Sequence, residues 1–465
     1  MPWVRVSGGA PYFETEDGRP WTPVGHNEAV DWIDLAGLFH RRDPGGVDRH
    51  LAMLRANGVT SLRLMLEYSQ GWHRYFERPA GSPVPAMVRL WDDLFALCER
   101  HSIRILLTPF DTFWMGRRFA HHPWSCRQGG PLASLRELLT SPEARRLTKA
   151  RFEFAIRRWG GSAALFGWDL MNEIHPDLNG GEEAGLADFV HDVATHVRGL
   201  EMQLYGRSHP LSVSVFGPHL DGLHGAALAD LAFRHPDLDF ATTHLYEPGT
   251  IDAPKDTVAS ALAVGRLVTR ALGEIRDGRP FLDSESGPIH TFNDRRRTLT
   301  EPFDDEYFRH MSWAHLASGG AGSGMRWPYR HPHRLTAGMH DAQKMLARFC
   351  GLVDWRRFRR APLGGRVEVA DVGVAAFGCG DEDQAVVWLL QTGPIGKDGR
   401  LFPGVASPVR LALRHQRPGR YSVAAFDTKG GATTEFESET AENGILTFRT
   451  PPFSTDLALA IRLKR

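Results

Sequence analysis

Gly25-His26-Asn27-Glu28 closes the first strand-like run of the chain, Thr22–Gly25. A doubly wound sheet carries its Gly-rich phosphate loop, G-x-G-x-x-G, at this point. The stretch here has one glycine and three polar side chains, so it is not such a loop. It favours the other regular way of alternating strands and helices, the (β/α)8 TIM barrel.

The rest of the first 350 residues agrees. Short apolar runs at Thr60–Leu66, Ile103–Pro109, Leu165–Met171, Leu211–Phe216, Asp239–His244, Pro280–Asp283 and Gly322–Trp327 follow the first one. Continuous aliphatic and β-branched runs of this length mark strands buried on both faces. Longer amphipathic stretches separate them. In Met87–Arg100, for example, Leu90, Leu94 and Leu97 share one face, and Leu186–Leu204 is similar. Spacing of three and four predicts helices there.

After Cys350 the composition changes. The basic run Arg356-Arg357-Phe358-Arg359-Arg360 leads into Pro362-Leu363-Gly364-Gly365 and reads as a solvated linker. Beyond it lie short runs at Val367–Ala370, Ala385–Leu390, Val409–Leu413, Tyr421–Phe426, Leu446–Phe448 and Leu457–Ile461, with turns such as Lys429-Gly430-Gly431. This pattern predicts a small all-β sandwich. The expected organisation is a barrel with an N-terminal hairpin over 1–355 and a C-terminal sandwich over 363–465.

Composition narrows the function. Lys+Arg and Asp+Glu are 55 each among 465 residues, so the formal net charge is zero. A nucleic-acid binder or membrane-surface protein needs a basic excess, so no nucleic-acid or membrane partner is expected. Mean hydropathy is −0.31, and no apolar run reaches the roughly 20 residues of a transmembrane helix. Cys98, Cys126, Cys350 and Cys379 lie far apart, without the paired spacing of a zinc or redox motif. The start, Met1-Pro2-Trp3-Val4-Arg5, lacks a charged segment followed by an apolar one. The expectation is a cytoplasmic protein, or a secreted one whose signal has been removed. The 13 Trp, with no charge surplus, point to flat neutral ligands, and sugars are the obvious class.

Barrel active sites lie where strands end. The fourth run ends Trp168-Asp169-Leu170-Met171-Asn172-Glu173, and the seventh ends Phe281-Leu282-Asp283-Ser284-Glu285-Ser286-Gly287. Strands four and seven lie on opposite sides of a barrel mouth, so Glu173 and Glu285 are expected to face each other. Two carboxyl groups about 5–5.5 Å apart suit a retaining glycosidase, one donating a proton and the other attacking the anomeric carbon.

These residues resemble glycoside hydrolase clan A, and most closely family 5, the cellulase and mannanase family. The resemblance spans roughly residues 12–350. It implies that Glu173 is the acid/base and Glu285 the nucleophile, with Asn172 on the sugar 2-hydroxyl. Arg63, in Asn57-Gly58-Val59-Thr60-Ser61-Leu62-Arg63, looks like the family's strand-two arginine beside the nucleophile. His244 and Tyr246 resemble its strand-six His-x-Tyr pair, and Trp327 its strand-eight tryptophan under the reacting sugar. Glu16 to Asn27 reads like the hairpin into strand one. The resemblance also implies that Arg63 keeps Glu285 ionised and that the Glu285 charge raises the Glu173 pKa.

The third run departs from the family. Pro109-Phe110-Asp111-Thr112-Phe113-Trp114 stands where many family 5 cellulases carry a histidine, and it is closer to mannan-active relatives. Trp114 and Asp111 are therefore candidate sugar contacts, as are His26 and Asn27 at strand one. His121-His122 and His331-Pro332-His333 lack the i, i+4 spacing of a helical zinc pair, and the carboxylate mechanism needs no metal or other cofactor. The expected function is a retaining β-glycoside hydrolase acting on short β-mannosides or β-glucosides, more exo than endo. The alternatives are an endo-acting mannanase or glucanase, and a catalytically silent carbohydrate-binding barrel. The intact Glu173, Glu285, Arg63, Asn172 and Tyr246 weigh against the silent barrel.

Overall fold

The computed structural model describes residues 1–68, 74–291, 294–359 and 361–464. Arg360, the last of the basic run, lies outside the described residues.

Eight parallel strands form the barrel: β1 Gly25–Glu28, β2 Ser61–Met65, β3 Arg104–Thr108, β4 Leu165–Asp169, β5 Leu211–Ser212, β6 Ala241–Leu245, β7 Phe281–Ser286 and β8 Met325–Arg326. Their spatial order is β5-β4-β3-β2-β1-β8-β7-β6. The ring is completed by a single parallel bridge between Phe216 and His244, just beyond β5. Long helices at Pro44–Ala56, Pro85–His101, Pro142–Trp159, Leu186–Tyr205, Thr257–Glu274, Glu301–Ala317 and Ala337–Cys350 wrap the sheet. Several start as the sequence dictates. Pro44 and Pro142 stand in the first turn, where no amide hydrogen is needed, and the Asp43 and Ser141 side chains cap the amides of Gly46 and Ala144.

The first strand lies three residues later than Thr22–Gly25. Pro20–Trp21 instead pairs with Phe13–Thr15 and Val4–Val6 in a three-stranded antiparallel sheet. Phe13, edge-on, and Trp21, tilted, from this hairpin pack against Phe166 at 4.9 and 4.7 Å, plugging the end of the barrel opposite the catalytic candidates. Gly25 is required where it stands. A side-chain carbon there would lie 1.8 Å from the Ser61 carbonyl oxygen, so β1 and β2 approach this closely only because it is glycine.

One irregularity aims the site. Asp283 pairs with Thr243 but Glu285 with His244, so Ser284 is an extra residue in β7. Such bulges re-aim side chains next to active sites. Asp283 Oδ1 holds this one by accepting the amides of Glu285 at 3.1 Å and Leu245 at 3.2 Å.

Among the described residues, the C-terminal region has nine strands rather than the six expected, in sheets of six and three. Val374–Gly380 escaped the sequence pattern because it is built of small residues and glycines. Thr433–Glu439 escaped because it is a largely exposed edge strand with almost no apolar residues. The two sheets enclose a core that includes Leu389, Leu411, Val423 and Leu459. The outer face of the larger sheet joins the barrel core through Phe377, Trp388 and Phe426, against Trp313 and Phe349. Arg309, on a barrel helix, reaches the buried Asp456 carboxylate at 2.6 Å, and Trp388 Nε1 donates to the same carboxylate at 3.0 Å. Among the described residues, no helix is long and apolar enough to cross a membrane.

Candidate active site

Arg63 is the hub. It projects from β2 into the barrel, fully buried, and all four of its terminal contacts are to strand-end side chains. Nη1 donates to Asn27 Oδ1 and Glu285 Oε2, each at 3.1 Å; Nη2 donates to Asp169 Oδ2 at 2.9 Å and Asn172 Oδ1 at 2.7 Å. Burial disfavours the cation, but the Asp169 and Glu285 carboxylates outweigh it and hold its pKa above the ordinary arginine value.

Glu285 is 7% exposed. Its Oε2 faces Arg63, and its Oε1 accepts the Tyr246 hydroxyl at 2.8 Å and the Tyr329 hydroxyl at 3.4 Å. The two phenols are also 2.9 Å apart. Across the mouth, Glu173 sits at the end of β4 with φ +47°, a left-handed conformation costly for a residue with a side chain. Its amide is tied to Ser214 Oγ at 3.1 Å, and its Oε1 lies 2.7 Å from His244 Nδ1. One oxygen of Glu173, one oxygen of Glu285 and a His244 nitrogen all lie within 4.8 Å of one another.

Burial pushes the Glu173 pKa up to about 7, Arg63 and His219 opposing this and Asp169 adding to it. The sequence reading attributed the rise to the Glu285 charge; the cause here is desolvation. Burial also pulls His244 down to about 4, although Glu285 opposes this. The His244 contact to Glu173 is therefore a hydrogen bond between the carboxyl group and a neutral ring, not an ion pair. Below about pH 7 the proton belongs to Glu173.

Asn172 orients by accepting from Arg63 while its Nδ2 donates to Thr112 Oγ1 at 3.2 Å. Above these groups opens a cavity of about 380 Å3, whose lining includes Glu173, Glu285, Asn172, Tyr246, Trp327 and Trp114. Trp327 is 6% exposed and packs edge-on against Trp32 at 5.1 Å. Trp114 Nε1 donates to the Tyr68 hydroxyl at 3.2 Å. Asp111 also lines the cavity, while its Oδ1 caps the short helix Thr112–Arg117 through the Trp114 amide at 3.1 Å.

Two candidates are corrected. His26 and Asn27 lie within β1, not in the loop beyond it, and neither lines the cavity. His26 turns outward, with Nε2 3.0 Å from Glu28 and Nδ1 accepting from Gln343. Asn27 is wholly buried. Its Nδ2 donates to the carbonyls of Ser284 and Met325, each at 2.9 Å, and its Oδ1 accepts from Arg63. It braces β7, β8 and Arg63 without reaching the cavity. Of the paired histidines, His122 is committed to Glu67 at 2.7 Å.

Four contributors escaped the sequence reading. Asp169 was quoted but assigned no task, although it anchors Arg63 and accepts from Ser214 N and Oγ, each at 2.9 Å. Tyr329 stands two residues beyond Trp327, and an alternation argument from Trp327 would have found it. Phe216 closes the run Leu211–Phe216 but was given no task, and His219 lies three residues beyond it, past a strand whose ladder covers only two residues.

Glu173, His244 and Glu285 are also the one cluster of three metal-capable groups among the described residues. A cation there would have to share Glu285 Oε2 with the Arg63 guanidinium, 3.1 Å away.

Compared by sequence, the chain matches no family model and no curated protein. Compared by structure, it resembles a glycoside hydrolase family 5 protein from Bacteroides vulgatus over 99% of this chain and 93% of that one, with TM-score 0.63 and 12% identity. The fold is that of glycoside hydrolase family 5. The endo-β-1,4-mannanase from Thermotoga petrophila is also similar in structure, aligning over 94% of this chain and 92% of its own with TM-score 0.51 and 15% identity. The exo-β-1,4-mannosidase from Opitutaceae bacterium strain TAV5 aligns over 73% and 61%, with TM-score 0.53 and 18% identity.

Proposed function

We propose that the chain is a family 5 retaining β-glycoside hydrolase acting on short β-mannosides from the chain end. The observation that carries this reading is the approach of Glu173 and Glu285. Carboxylate oxygens within 4.8 Å of each other fit the roughly 5–5.5 Å separation of a retaining pair better than the about 6.5–9.5 Å of an inverting one.

In this reading Glu285, held in place by Arg63 and the Tyr246 hydroxyl, attacks the anomeric carbon. The bond to the leaving oxygen breaks as Glu173 delivers its proton there. The ester on Glu285 no longer carries a charge, and Glu173, now a carboxylate, takes a proton from the water that releases the sugar. His244 holds Glu173 at one oxygen. Asn172, its carbonyl oxygen committed to Arg63, turns its amide toward the sugar 2-hydroxyl. Trp327 forms an apolar floor, and Trp114 and Asp111 form the far wall.

Mannoside is favoured over glucoside because mannan-active proteins are among the structural relatives and because Trp114 stands where a cellulase histidine would. Exo-action is supported by the small cavity. Turnover of a panel of aryl β-glycosides, with the anomeric configuration of the first product followed by NMR, tests the proposal. Release of β-mannose supports it; initial release of the α-anomer, or no turnover of any sugar, contradicts it.

A further inference from the structure

One wall of the cavity has no task in that mechanism. Beyond β5, Phe216 bridges to His244 and Gly217 follows. A side-chain carbon on Gly217 would stand 2.5 Å from the His244 carbonyl oxygen, so only glycine lets the chain lie this close over β6. The short turn Gly217–Asp221 then carries His219 into the cavity. The His219 amide is held by the Phe216 carbonyl at 2.9 Å, and its ring packs against Phe216 at 5.1 Å and His175 at 4.3 Å.

His219 Nδ1 is buried and has no hydrogen-bond partner among the described residues. His219 lines the cavity, so a ligand bound there is the natural source of a hydrogen-bond partner for its ring. The ionisable groups facing the ring are His175, Glu173, Asp177 and His224. It thus stands on the Glu173 side, whereas Arg63, Tyr246 and Tyr329 gather round Glu285. Burial, with His175 beside it, keeps the imidazole below its ordinary pKa and so neutral, with one donor and one acceptor nitrogen.

In a displacement at Glu285, the departing group lies on the side of the residue that protonates it. We infer that His219 hydrogen-bonds the leaving group, and that this group is a neutral polyhydroxyl moiety, a second sugar or polyol, rather than an apolar aglycone. A sugar hydroxyl both donates and accepts, which matches a neutral imidazole. This inference rests on the hydrolase reading of the same site.

The test compares kcat/KM on β-1,4-mannobiose and on 4-nitrophenyl β-mannoside for wild type, His219→Ala and His219→Gln. The expected result is that His219→Ala lowers the mannobiose-to-nitrophenyl ratio about 10-fold. His219→Gln, which keeps a donor and an acceptor, restores part of it at an unchanged thermal midpoint. A ratio within about twofold of wild type in both variants overturns the assignment, as does a wild type that cleaves the nitrophenyl substrate and not the disaccharide. A wild type that cleaves neither contradicts the hydrolase reading itself, and the inference falls with it.

Discussion

Tyr246 donates its hydroxyl to Glu285 Oε1 at 2.8 Å while Arg63 grips Oε2 of the same carboxylate at 3.1 Å. The carboxylate is thus fixed from both edges, one by a neutral donor and one by a cation. Hydrogen bonds to a charged group are worth about 1.5–3 kcal/mol. Tyr246→Phe should lower kcat/KM about 10- to 100-fold. Tyr329→Phe, which removes the longer contact and the partner of Tyr246, should lower it about threefold. Steady-state kinetics on an aryl glycoside checks both; equal losses would show that the two phenols do not act in series.

Glu173, with its pKa near 7, should set the alkaline limb of the pH profile. Activity in kcat/KM should fall as pH rises through about 7, because the acid loses its proton there. In Glu173→Gln the limb should vanish along with most activity toward poor leaving groups. A limb that persists in the variant assigns it to another group.

The same shift has a sign for stability. The folded pKa lies above the ordinary 4.5, so the folded state holds the proton more tightly than the unfolded one. That contribution is complete below about pH 4.5 and is lost as pH rises through about 7. Glu173→Gln should therefore gain stability relative to wild type across this window, by about 2 to 3 kcal/mol at its upper end. Denaturant unfolding at pH 4.5 and 8 measures it; a constant difference between the two proteins would contradict the shift.

Much of this arrangement was legible in the sequence. Seven of the eight barrel strands were placed by buried aliphatic runs, the first being set three residues early, and both glutamates follow the ends of two of those runs. The errors have physical causes. Val24-Gly25 looks like the end of a strand because proline and tryptophan precede it, but the ladder with Ser61 begins at Gly25, which moves His26 and Asn27 inside the sheet. A three-residue shift converted two expected sugar contacts into braces. Asp169 was unreadable as a functional residue because its role depends on Arg63, 106 positions away in the chain. His219 was unreadable because no periodic pattern marks a short turn.

Asn27 yields a prediction from this correction. Asn27→Ala leaves the Ser284 and Met325 carbonyls without this donor and removes one Arg63 contact, all in the interior. The expected loss is about 2 to 4 kcal/mol of stability, with a smaller effect on KM than on kcat because Arg63 is loosened behind Glu285. Denaturant unfolding and kinetics together check this. A variant as stable as wild type but with a raised KM would restore Asn27 as a sugar contact.

The join between barrel and sandwich rests on a buried pair. Arg309 and Thr428 both donate to Asp456, whose pKa is held well below the usual carboxylate range: burial opposes this, but Arg309 overcomes it. Asp456→Ala strands the Arg309 cation and should cost about 3–5 kcal/mol. Thermal unfolding of the variant tests it; a loss below about 1 kcal/mol would show that the apolar contacts around Trp388 suffice.

The central claim is that Glu285 forms the covalent bond to the sugar. A 2-fluoro β-mannoside with a good leaving group should trap that ester, and peptide mass spectrometry should find one 2-fluoromannosyl adduct on Glu285. An adduct on Glu173 or any other residue would contradict the account, as would turnover of the aryl mannoside by Glu285→Gln at the wild-type rate.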